Sequence, residues 1–315
     1  MTLPHRLLIL SEQAQEYEHL LAEASLPGLA LVTAGTPQEA LARGADCDLV
    51  FGEPALIKDL LAGLPNLHWV QATWAGVEPL LDPALRRDYV LTNARGIFGG
   101  LMSEYVFGYL LAHERAILAR AAAQQAGRRD PSEPGSLRGK LLGLLGVGSI
   151  GCALAGTALH FGMRVRGYTR SSESCLDVER YFHGADLAAF AEGLDYLVNT
   201  LPGTAATRHI VDSALLAALP DQAVFVNVGR GSAVDEAALE TALRSGKLAG
   251  AVLDVFEQEP LPPGHPFWRT PNLILTAHIA APTIPADMAG VFVENYRLLL
   301  EGKELKYRVD FERGY

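Results

Sequence analysis

Residues 141–151 read LLGLLGVGSIG, an apolar run that leads directly into the pattern Gly-x-Gly-x-x-Gly. Taken alone the pattern is weak, because glycine is common in this chain, with 31 of 315 residues. The context strengthens it, because a helical stretch and a second apolar run at residues 163–169 follow in order. This order predicts a strand–loop–helix unit whose loop binds the pyrophosphate of a dinucleotide. The loop residues are Gly146, Gly148, Ser149, Ile150 and Gly151.

Further apolar segments extend the pattern in both directions from this loop. Six segments begin at Lys140 or later, and they read LLGLLGV, RVRGYT, YLVNTL, AVFVNVG, AGAVLDV and LILTAH. The first third of the chain shows a similar alternation, with apolar runs at residues 6–10, 30–33, 48–51 and 67–72. Strands that alternate with helices form parallel sheets covered on both faces. The sequence therefore predicts an α/β protein with two doubly wound parallel-sheet domains.

The region between the two sets of strands has a different pattern. A helical pattern begins near Ser103, a plausible N-cap, and continues without interruption through SEYVFGYLLAHERAILARAAAQQ. Residues 127–139 are rich in glycine, proline, serine and charge, which predicts a linker. The segment from Pro282 onward is predicted to be helical and to end in a polar tail.

Composition excludes several classes of function. The chain is 49% apolar and 20% charged, as is ordinary for a globular protein, and its net charge of -10 argues against a nucleic-acid partner. No apolar run is long enough to span a bilayer, so no membrane partner is expected. Cys47, Cys152 and Cys175 are odd in number and far apart, which fits neither a disulfide framework nor a zinc site. We therefore expect a cytoplasmic protein without a metal.

The end of the second strand of the cofactor unit predicts which dinucleotide is bound. An acidic residue there would bind a free ribose 2′-hydroxyl, but this chain has Thr169, followed by Arg170, Ser171 and Ser172. An arginine with two hydroxyls can hold a 2′-phosphate, and no carboxylate is present nearby to repel it. The sequence therefore predicts NADP in preference to NAD. The alternative is that Arg170 is a solvated charge that stacks on adenine.

Three residues that follow successive strands could carry out chemistry on a small acid. Arg230 follows AVFVNVG, Glu259 follows AGAVLDV, and His278 closes LILTAH. The carboxyl ends of parallel strands form the sites of open α/β sheets, so these residues can converge. Reduction of a 2-keto acid needs a cation that grips the carboxylate, an acid that protonates the new alkoxide, and a group that keeps that acid charged. Taken singly, each is better explained as an ordinary residue, His278 as a core or loop histidine and Glu259 as a solvent-facing loop acid.

The chain resembles a known family, the D-isomer-specific 2-hydroxy acid dehydrogenases. Within it the similarity is greatest to the bacterial glyoxylate/hydroxypyruvate reductases of the A type. The resemblance covers nearly the whole chain. It rests on TWAGVE, RGIFGG-x-x-SEY, LGVGSIG, TLPGT, NVGRG, LDVFEQEP, HPFW, AHIAAPT and the terminal VDFERGY.

The resemblance implies a role for each matching residue. Arg230 would bind the substrate carboxylate and carbonyl, His278 would be the general acid, and Glu259 would hydrogen-bond His278. Backbone amides of the loop Trp74, Ala75, Gly76 and Val77 would bind the substrate carboxylate. On the cofactor, Leu201, Pro202 and Thr207 would line the adenosine side, and Asp254 would lie near the nicotinamide carboxamide. The remaining cofactor contacts would be Val228, Gly229, His278 and Ala280.

Two tryptophans leave the substrate pocket open to interpretation. The family more often has a smaller residue at the position of Trp74 and an aspartate at that of Glu78. Trp74 could narrow the pocket or pack in the core. Trp268 in HPFW is expected to pack in the core, with a position lining the site as the alternative. These departures concern the size of the substrate and leave the reaction type unchanged.

The resemblance also implies the domain organisation and the assembly. A flavodoxin-like substrate domain would comprise residues 1–98 and 283–315, with a Rossmann cofactor domain of residues 99–282 inserted into it. The long helix and the arm after it would form a homodimer interface. The expected activity is NADPH- or NADH-dependent reduction of small 2-keto acids such as glyoxylate and hydroxypyruvate.

Two other functions fit the same scaffold. One is an NAD-reducing dehydrogenase of the formate or phosphonate type, which the absence of an acid at Thr169 disfavours. The other is a catalytically silent co-repressor that binds the dinucleotide as a redox-sensing ligand, which the presence of Arg230, Glu259 and His278 disfavours.

Overall fold

The computed structural model describes residues 5–315, which form two compact units. One unit contains the chain up to Ile97 together with Thr283–Tyr315, and the other is Phe98–Pro282. The strands are β1 (His5–Leu10), β2 (Leu29–Ala34), β3 (Leu49–Gly52), β4 (Trp69–Ala72), β5 (Val90–Thr92), β6 (Leu141–Leu145), β7 (Arg164–Tyr168), β8 (Arg180–Phe182), β9 (Tyr196–Asn199), β10 (Ala223–Asn227), β11 (Leu248–Leu253) and β12 (Leu273–Leu275). The helices are α1 (Ala14–Glu23), α2 (Pro37–Gly44), α3 (Pro54–Ile57), α4 (Gly99–Glu114), α5 (Ile117–Gln125), α6 (Ser149–His160), α7 (Leu187–Ala191), α8 (Ser213–Ala218), α9 (Glu236–Arg244) and α10 (Pro285–Leu300).

The first unit is built on a five-stranded parallel sheet in the order β2-β1-β3-β4-β5, which is the flavodoxin-like order. In β1 the four residues 7–10 are fully buried, as expected for a central parallel strand covered on both faces. From α10, Phe292 stacks on Trp69 of β4 with ring centroids 5.0 Å apart. The helix that follows the second unit thus completes the core of the first.

The second unit is built on a seven-stranded parallel sheet in the order β12-β11-β10-β9-β6-β7-β8. Counted from β6, this is the Rossmann order 3-2-1-4-5-6 with one strand added at the far edge. Two apolar clusters cover the sheet, one around Phe225 and Leu197 and the other around Leu144 and Val198. The predicted α/β class with two parallel-sheet domains is confirmed. The short strands β5 and β8 were not among the predicted ones.

The predicted single helix from Ser103 is wrong in two respects. First, α4 begins at Gly99, so Ser103 lies buried inside the helix and does not cap it. Second, Ala116 has a left-handed backbone with φ 49°, which ends α4 and separates it from α5. The Arg120 side chain stabilises this break, because it donates to the carbonyl oxygen of Arg115 at 3.0 Å.

The expectation that Trp268 packs in the core is also wrong. In the short turn Pro266–Arg269 it is Phe267 that points inward, with 2% of its surface exposed. Its neighbour Trp268 consequently faces outward and is 55% exposed, and its indole N–H donates to the carbonyl oxygen of Pro262 at 2.8 Å. Within residues 5–315 no helix has the length and apolar character needed to cross a membrane.

Candidate active site

The predicted phosphate loop connects β6 to α6, and glycine is favoured at each of its three glycine positions for a different physical reason. Gly146 has φ 92°, a backbone conformation that side chains disfavour. A Cβ on Gly151 would lie 2.5 Å from the carbonyl oxygen of Gly146, so only glycine lets helix and loop pack this closely. A Cβ on Gly148 would meet no described atom within 4 Å. The N-terminus of α6 is therefore open to an anion beside Gly148.

The loop after β7 contains the residues that were predicted to select NADP over NAD. Thr169 is buried, and its hydroxyl donates to the carbonyl oxygen of Ser172 at 2.7 Å, while Arg170 and Ser171 are exposed. A carboxylate does lie in this loop, contrary to the sequence argument that none is near. It belongs to Glu173, whose Oε1 lies 2.7 Å from Nε2 of His183. Sequence reasoning missed both members of this pair.

The loop after β9 contains the residues predicted for the adenosine side. Thr207 holds the loop in shape, because its hydroxyl donates to the carbonyl oxygen of Pro202 at 2.6 Å and accepts from the N–H of Thr204 at 2.9 Å. The loop also contacts the phosphate loop, since the Thr200 hydroxyl donates to the carbonyl oxygen of Gly146 at 2.9 Å. Leu201 and Pro202, both half-buried, are adjacent to this contact.

Asn227, the last residue of β10, positions the segment that carries Arg230. Its buried Oδ1 accepts from the N–H of Gly229 at 3.1 Å and its Nδ2 donates to the carbonyl oxygen of Arg230 at 3.2 Å. Val228 is buried, and Arg230 is half-buried at the carboxyl end of the strand. A Cβ on Gly231 would lie 1.8 Å from the carbonyl carbon of Phe256, so the chain after Arg230 runs against the loop that leads to Glu259.

The structure brings Glu259 and His278 together. Nδ1 of His278 lies 2.8 Å from Oε2 of Glu259, and Oε1 of Glu259 accepts from the N–H of Phe256 at 3.0 Å. The hydrogen bond that His278 donates to Glu259 raises the pKa of His278, and burial and the positive charge of Arg230 oppose this rise only in part. Burial raises the pKa of Glu259, but the bonds from His278 and Phe256 outweigh it, so that this pKa is lowered. Because Arg230 acts on both pKa values, the three predicted catalytic residues form one electrostatic cluster.

Asp254 holds the backbone on both sides of His278. Its carboxylate is 2% exposed and accepts from the Thr276 hydroxyl at 2.5 Å and from the N–H groups of Ile279 and Ala280, both at 2.9 Å. The Asp254 carbonyl accepts from the N–H of His278 at 2.7 Å, which keeps this residue at a left-handed φ of 55°. Sequence reasoning gave Asp254 a place near the cofactor but did not find this network.

A tyrosine extends the network around Asp254. The hydroxyl oxygens of Tyr105 and Thr276 lie 2.6 Å apart. Because the single Thr276 proton is given to Asp254, the Tyr105 hydroxyl must be the donor in this bond. Tyr105 comes from α4, more than 170 positions earlier in the chain, and its ring is held against that of Tyr109.

The predicted substrate loop follows β4 in the first unit. The Trp74 side chain is 44% exposed, so of its two alternatives the core position is wrong. The carbonyl oxygen of Ala75 accepts from the Asn93 side chain at 2.8 Å, and Val77 is buried. Gly76, between them, is half-buried. Among residues 5–315 no group of three or more histidine, cysteine, aspartate or glutamate side chains could hold a metal.

Comparison with known proteins agrees with this geometry. Residues 107–280 match the family described as D-isomer specific 2-hydroxyacid dehydrogenase, NAD binding domain. A glyoxylate/hydroxypyruvate reductase A of Klebsiella pneumoniae is 34% identical over 280 residues, 87% of this chain and 88% of that protein. A D-isomer specific 2-hydroxyacid dehydrogenase family protein of Aeromonas salmonicida superposes with a TM-score of 0.91 at 42% identity, over 98% of this chain and 99% of that one.

A further solved structure carries a bound dinucleotide. It is an NADPH-dependent glyoxylate/hydroxypyruvate reductase of Sinorhizobium meliloti in complex with NADP and sulfate, with a TM-score of 0.88 and 30% identity. The superposition covers 99% of this chain and 100% of the Sinorhizobium chain. Fold and matches together define the chain as an NAD(P)-dependent dehydrogenase. More particularly, it belongs to the D-isomer specific 2-hydroxyacid dehydrogenase family.

Proposed function

We propose that this enzyme reduces small 2-keto acids to 2-hydroxy acids with NADPH, and that glyoxylate and hydroxypyruvate are its favoured substrates. The observation that carries the proposal is the bond between His278 and Glu259, with Arg230 close enough to act on both pKa values. The names of the relatives, glyoxylate/hydroxypyruvate reductase A and its NADPH-dependent counterpart, support the substrate and the cofactor.

Each catalytic residue has a defined task in this mechanism. The nicotinamide, when bound, supplies the hydride that reduces the keto carbon. His278 is held at Nδ1 by Glu259, so its Nε2 is the atom that gives a proton to the carbonyl oxygen. Arg230 binds the substrate carboxylate and polarises the carbonyl. We assign the substrate loop of Trp74, Ala75, Gly76 and Val77 to carboxylate binding, as the family resemblance implies.

The residues of the second unit fit a dinucleotide. The open face beside Gly148 suits the pyrophosphate, together with the other loop residues Gly146, Ser149, Ile150 and Gly151. We assign the 2′-phosphate to Thr169, Arg170 and Ser171, and the adenosine side to Leu201, Pro202 and Thr207. The nicotinamide side is assigned to Val228, Gly229, Asp254, His278 and Ala280. NADH is expected to serve as the poorer cofactor.

The assembly and location form part of the same proposal. Residues 1–98 and 283–315 would act as the substrate domain and residues 99–282 as the cofactor domain. We further propose a cytoplasmic homodimer. The exposed side chains of Ile117 and Leu118 on α5, 51% and 59% exposed, support an interface there. Size-exclusion chromatography with light scattering tests the dimer, and a monomer would contradict it.

An absorbance assay at the nicotinamide band tests the activity. Purified protein is mixed with NADPH or NADH and a panel of small 2-keto acids. The proposal predicts oxidation of NADPH by glyoxylate and hydroxypyruvate, with a higher kcat/KM for NADPH than for NADH. Binding of NADPH without turnover of any keto acid would favour the co-repressor. Reduction of NAD by formate or phosphonate would favour the NAD-reducing dehydrogenase.

A further inference from the structure

His183, the residue that follows β8, is bonded to the loop that follows β7. Its Nδ1 lies 2.9 Å from the carbonyl oxygen of Thr169 and 3.2 Å from the Thr169 hydroxyl. Its Nε2 lies 2.7 Å from Oε1 of Glu173. One imidazole therefore ties together the first and last residues of the loop 169–173.

The partners of His183 determine its charge. A carbonyl oxygen only accepts hydrogen bonds, and the Thr169 hydroxyl has already given its proton to Ser172. Nδ1 must therefore carry a proton. The carboxylate oxygens of Glu173, an exposed residue, also only accept hydrogen bonds, so Nε2 must carry a proton as well. With both nitrogens donating, His183 is an imidazolium.

This imidazolium sits beside the loop to which the proposed function assigns the 2′-phosphate. Glu173 lies in the same loop, and by itself its charge would repel a phosphate. When His183 is charged, the pair is neutral overall and Arg170 adds a positive charge to the loop. When His183 loses its proton, the pair becomes net negative and the ring can donate only one of its two bonds, to the Thr169 carbonyl or to Glu173.

We propose that His183 is a specificity-determining residue, which shapes the loop 169–173 and neutralises Glu173 so that the loop accepts a 2′-phosphorylated dinucleotide. The inference rests on the proposed use of NADPH. It adds that the preference for NADPH over NADH requires a charged histidine and is therefore sensitive to pH.

The surroundings of His183 give the direction of this pH dependence. The bond that His183 donates to Glu173 raises the pKa of His183 above the ordinary value of 6.5, and the Thr169 carbonyl and the charge of Asp186 in the next turn act in the same direction. Tyr181, two positions earlier, stacks with its ring centroid 6.5 Å away. The imidazolium is present below this raised pKa and is lost as the pH rises through it. The NADPH preference should consequently fall with rising pH.

The test measures the ratio of kcat/KM for NADPH to kcat/KM for NADH at several pH values from 7 upward, where the 2′-phosphate is already a dianion. For the wild type the ratio should fall about fivefold across the transition of His183. In His183→Gln, a neutral amide, the ratio should be independent of pH and about fivefold lower than the wild-type ratio below the transition. Glu173→Gln should move the wild-type transition to lower pH, because the main cause of the raised pKa is removed.

Two controls separate the possible failures. His19→Gln, in an exposed histidine–glutamate pair on α1, should keep the wild-type ratio at every pH. The NADH reaction of each variant reports whether it is folded. A wild type that prefers NADH would overturn the proposed cofactor, whereas a wild type that prefers NADPH with a ratio unchanged in His183→Gln would overturn this inference alone.

Discussion

Nδ1 of His278 lies 2.8 Å from Oε2 of Glu259, although the two residues are 19 positions apart in the sequence. A bond to Nδ1 fixes which ring nitrogen faces away from the carboxylate. It also stabilises the imidazolium, which is the form that can give a proton to a keto oxygen. The proposed reaction therefore depends on this pair, and its consequences can be measured.

The first prediction concerns the pH dependence of keto-acid reduction. Because Glu259 raises the pKa of His278, kcat/KM should be constant at low pH and fall as the pH rises through that raised pKa. Glu259→Gln should move the fall to lower pH and reduce kcat about tenfold or more. Glu257→Gln, two positions earlier and paired with Arg208, is the matched control and should leave the profile in place. A profile unchanged in Glu259→Gln would contradict the role of the pair.

The second prediction concerns Arg230. Arg230→Ala should raise KM for the keto acid about 30-fold and also lower kcat, because a charged, forked contact to the carboxylate is lost. Arg230→Lys should recover only part of the loss, since lysine lacks the planar fork. The control is Arg244→Ala, at an exposed ion pair on α9. The measurement is steady-state kinetics with glyoxylate at saturating NADPH. A change in kcat alone, with KM unchanged, would contradict the assignment.

The third prediction concerns the network that holds the backbone of His278. Thr276→Val removes the hydroxyl that bonds both Asp254 and Tyr105, so kcat should fall about tenfold while KM for NADPH changes little. Thr276→Ser keeps the hydroxyl and should restore most of the activity. A wild-type kcat in Thr276→Val would show that the hydroxyl is not needed, and the network would then have no positioning role.

The fourth prediction concerns the phosphate loop. Gly151→Ala places a Cβ 2.5 Å from a backbone oxygen, so helix and loop must separate. The free energy of unfolding should drop by about 1–3 kcal/mol, and KM for NADPH should rise. Gly290→Ala on α10 meets nothing within 4 Å and should be neutral or stabilising by up to about 1 kcal/mol. Denaturant unfolding measures the change in stability, and cofactor titration measures the change in NADPH binding. A Gly151→Ala variant with wild-type stability and wild-type NADPH binding would contradict the packing argument.

Much of the fold was predictable because parallel strands buried on both faces are continuous apolar runs in the sequence. β6 and β10 are of this kind, with every residue buried. The edge strand β8 was missed, since its three residues RYF begin with an exposed arginine. The break at Ala116 was missed for a different reason. It depends on one left-handed residue that leaves the apolar periodicity intact.

The candidate site was predictable to the extent that it follows strand ends. Arg230, Glu259 and His278 each come after a strand of one sheet, so their proximity follows from the topology. The contacts of Tyr105 and His183 could not be found in this way. In both cases a side chain reaches a residue on a different helix, strand or loop, and the sequence alone does not show that the two elements lie side by side.

The most direct test of the central claim is kcat for NADPH-dependent reduction of glyoxylate by His278→Gln, with NADPH binding followed separately by its fluorescence. If His278 is the proton donor, kcat should fall by about 10²–10⁴-fold while NADPH still binds. A variant that binds NADPH and keeps the wild-type kcat on every keto acid tested would contradict the claim.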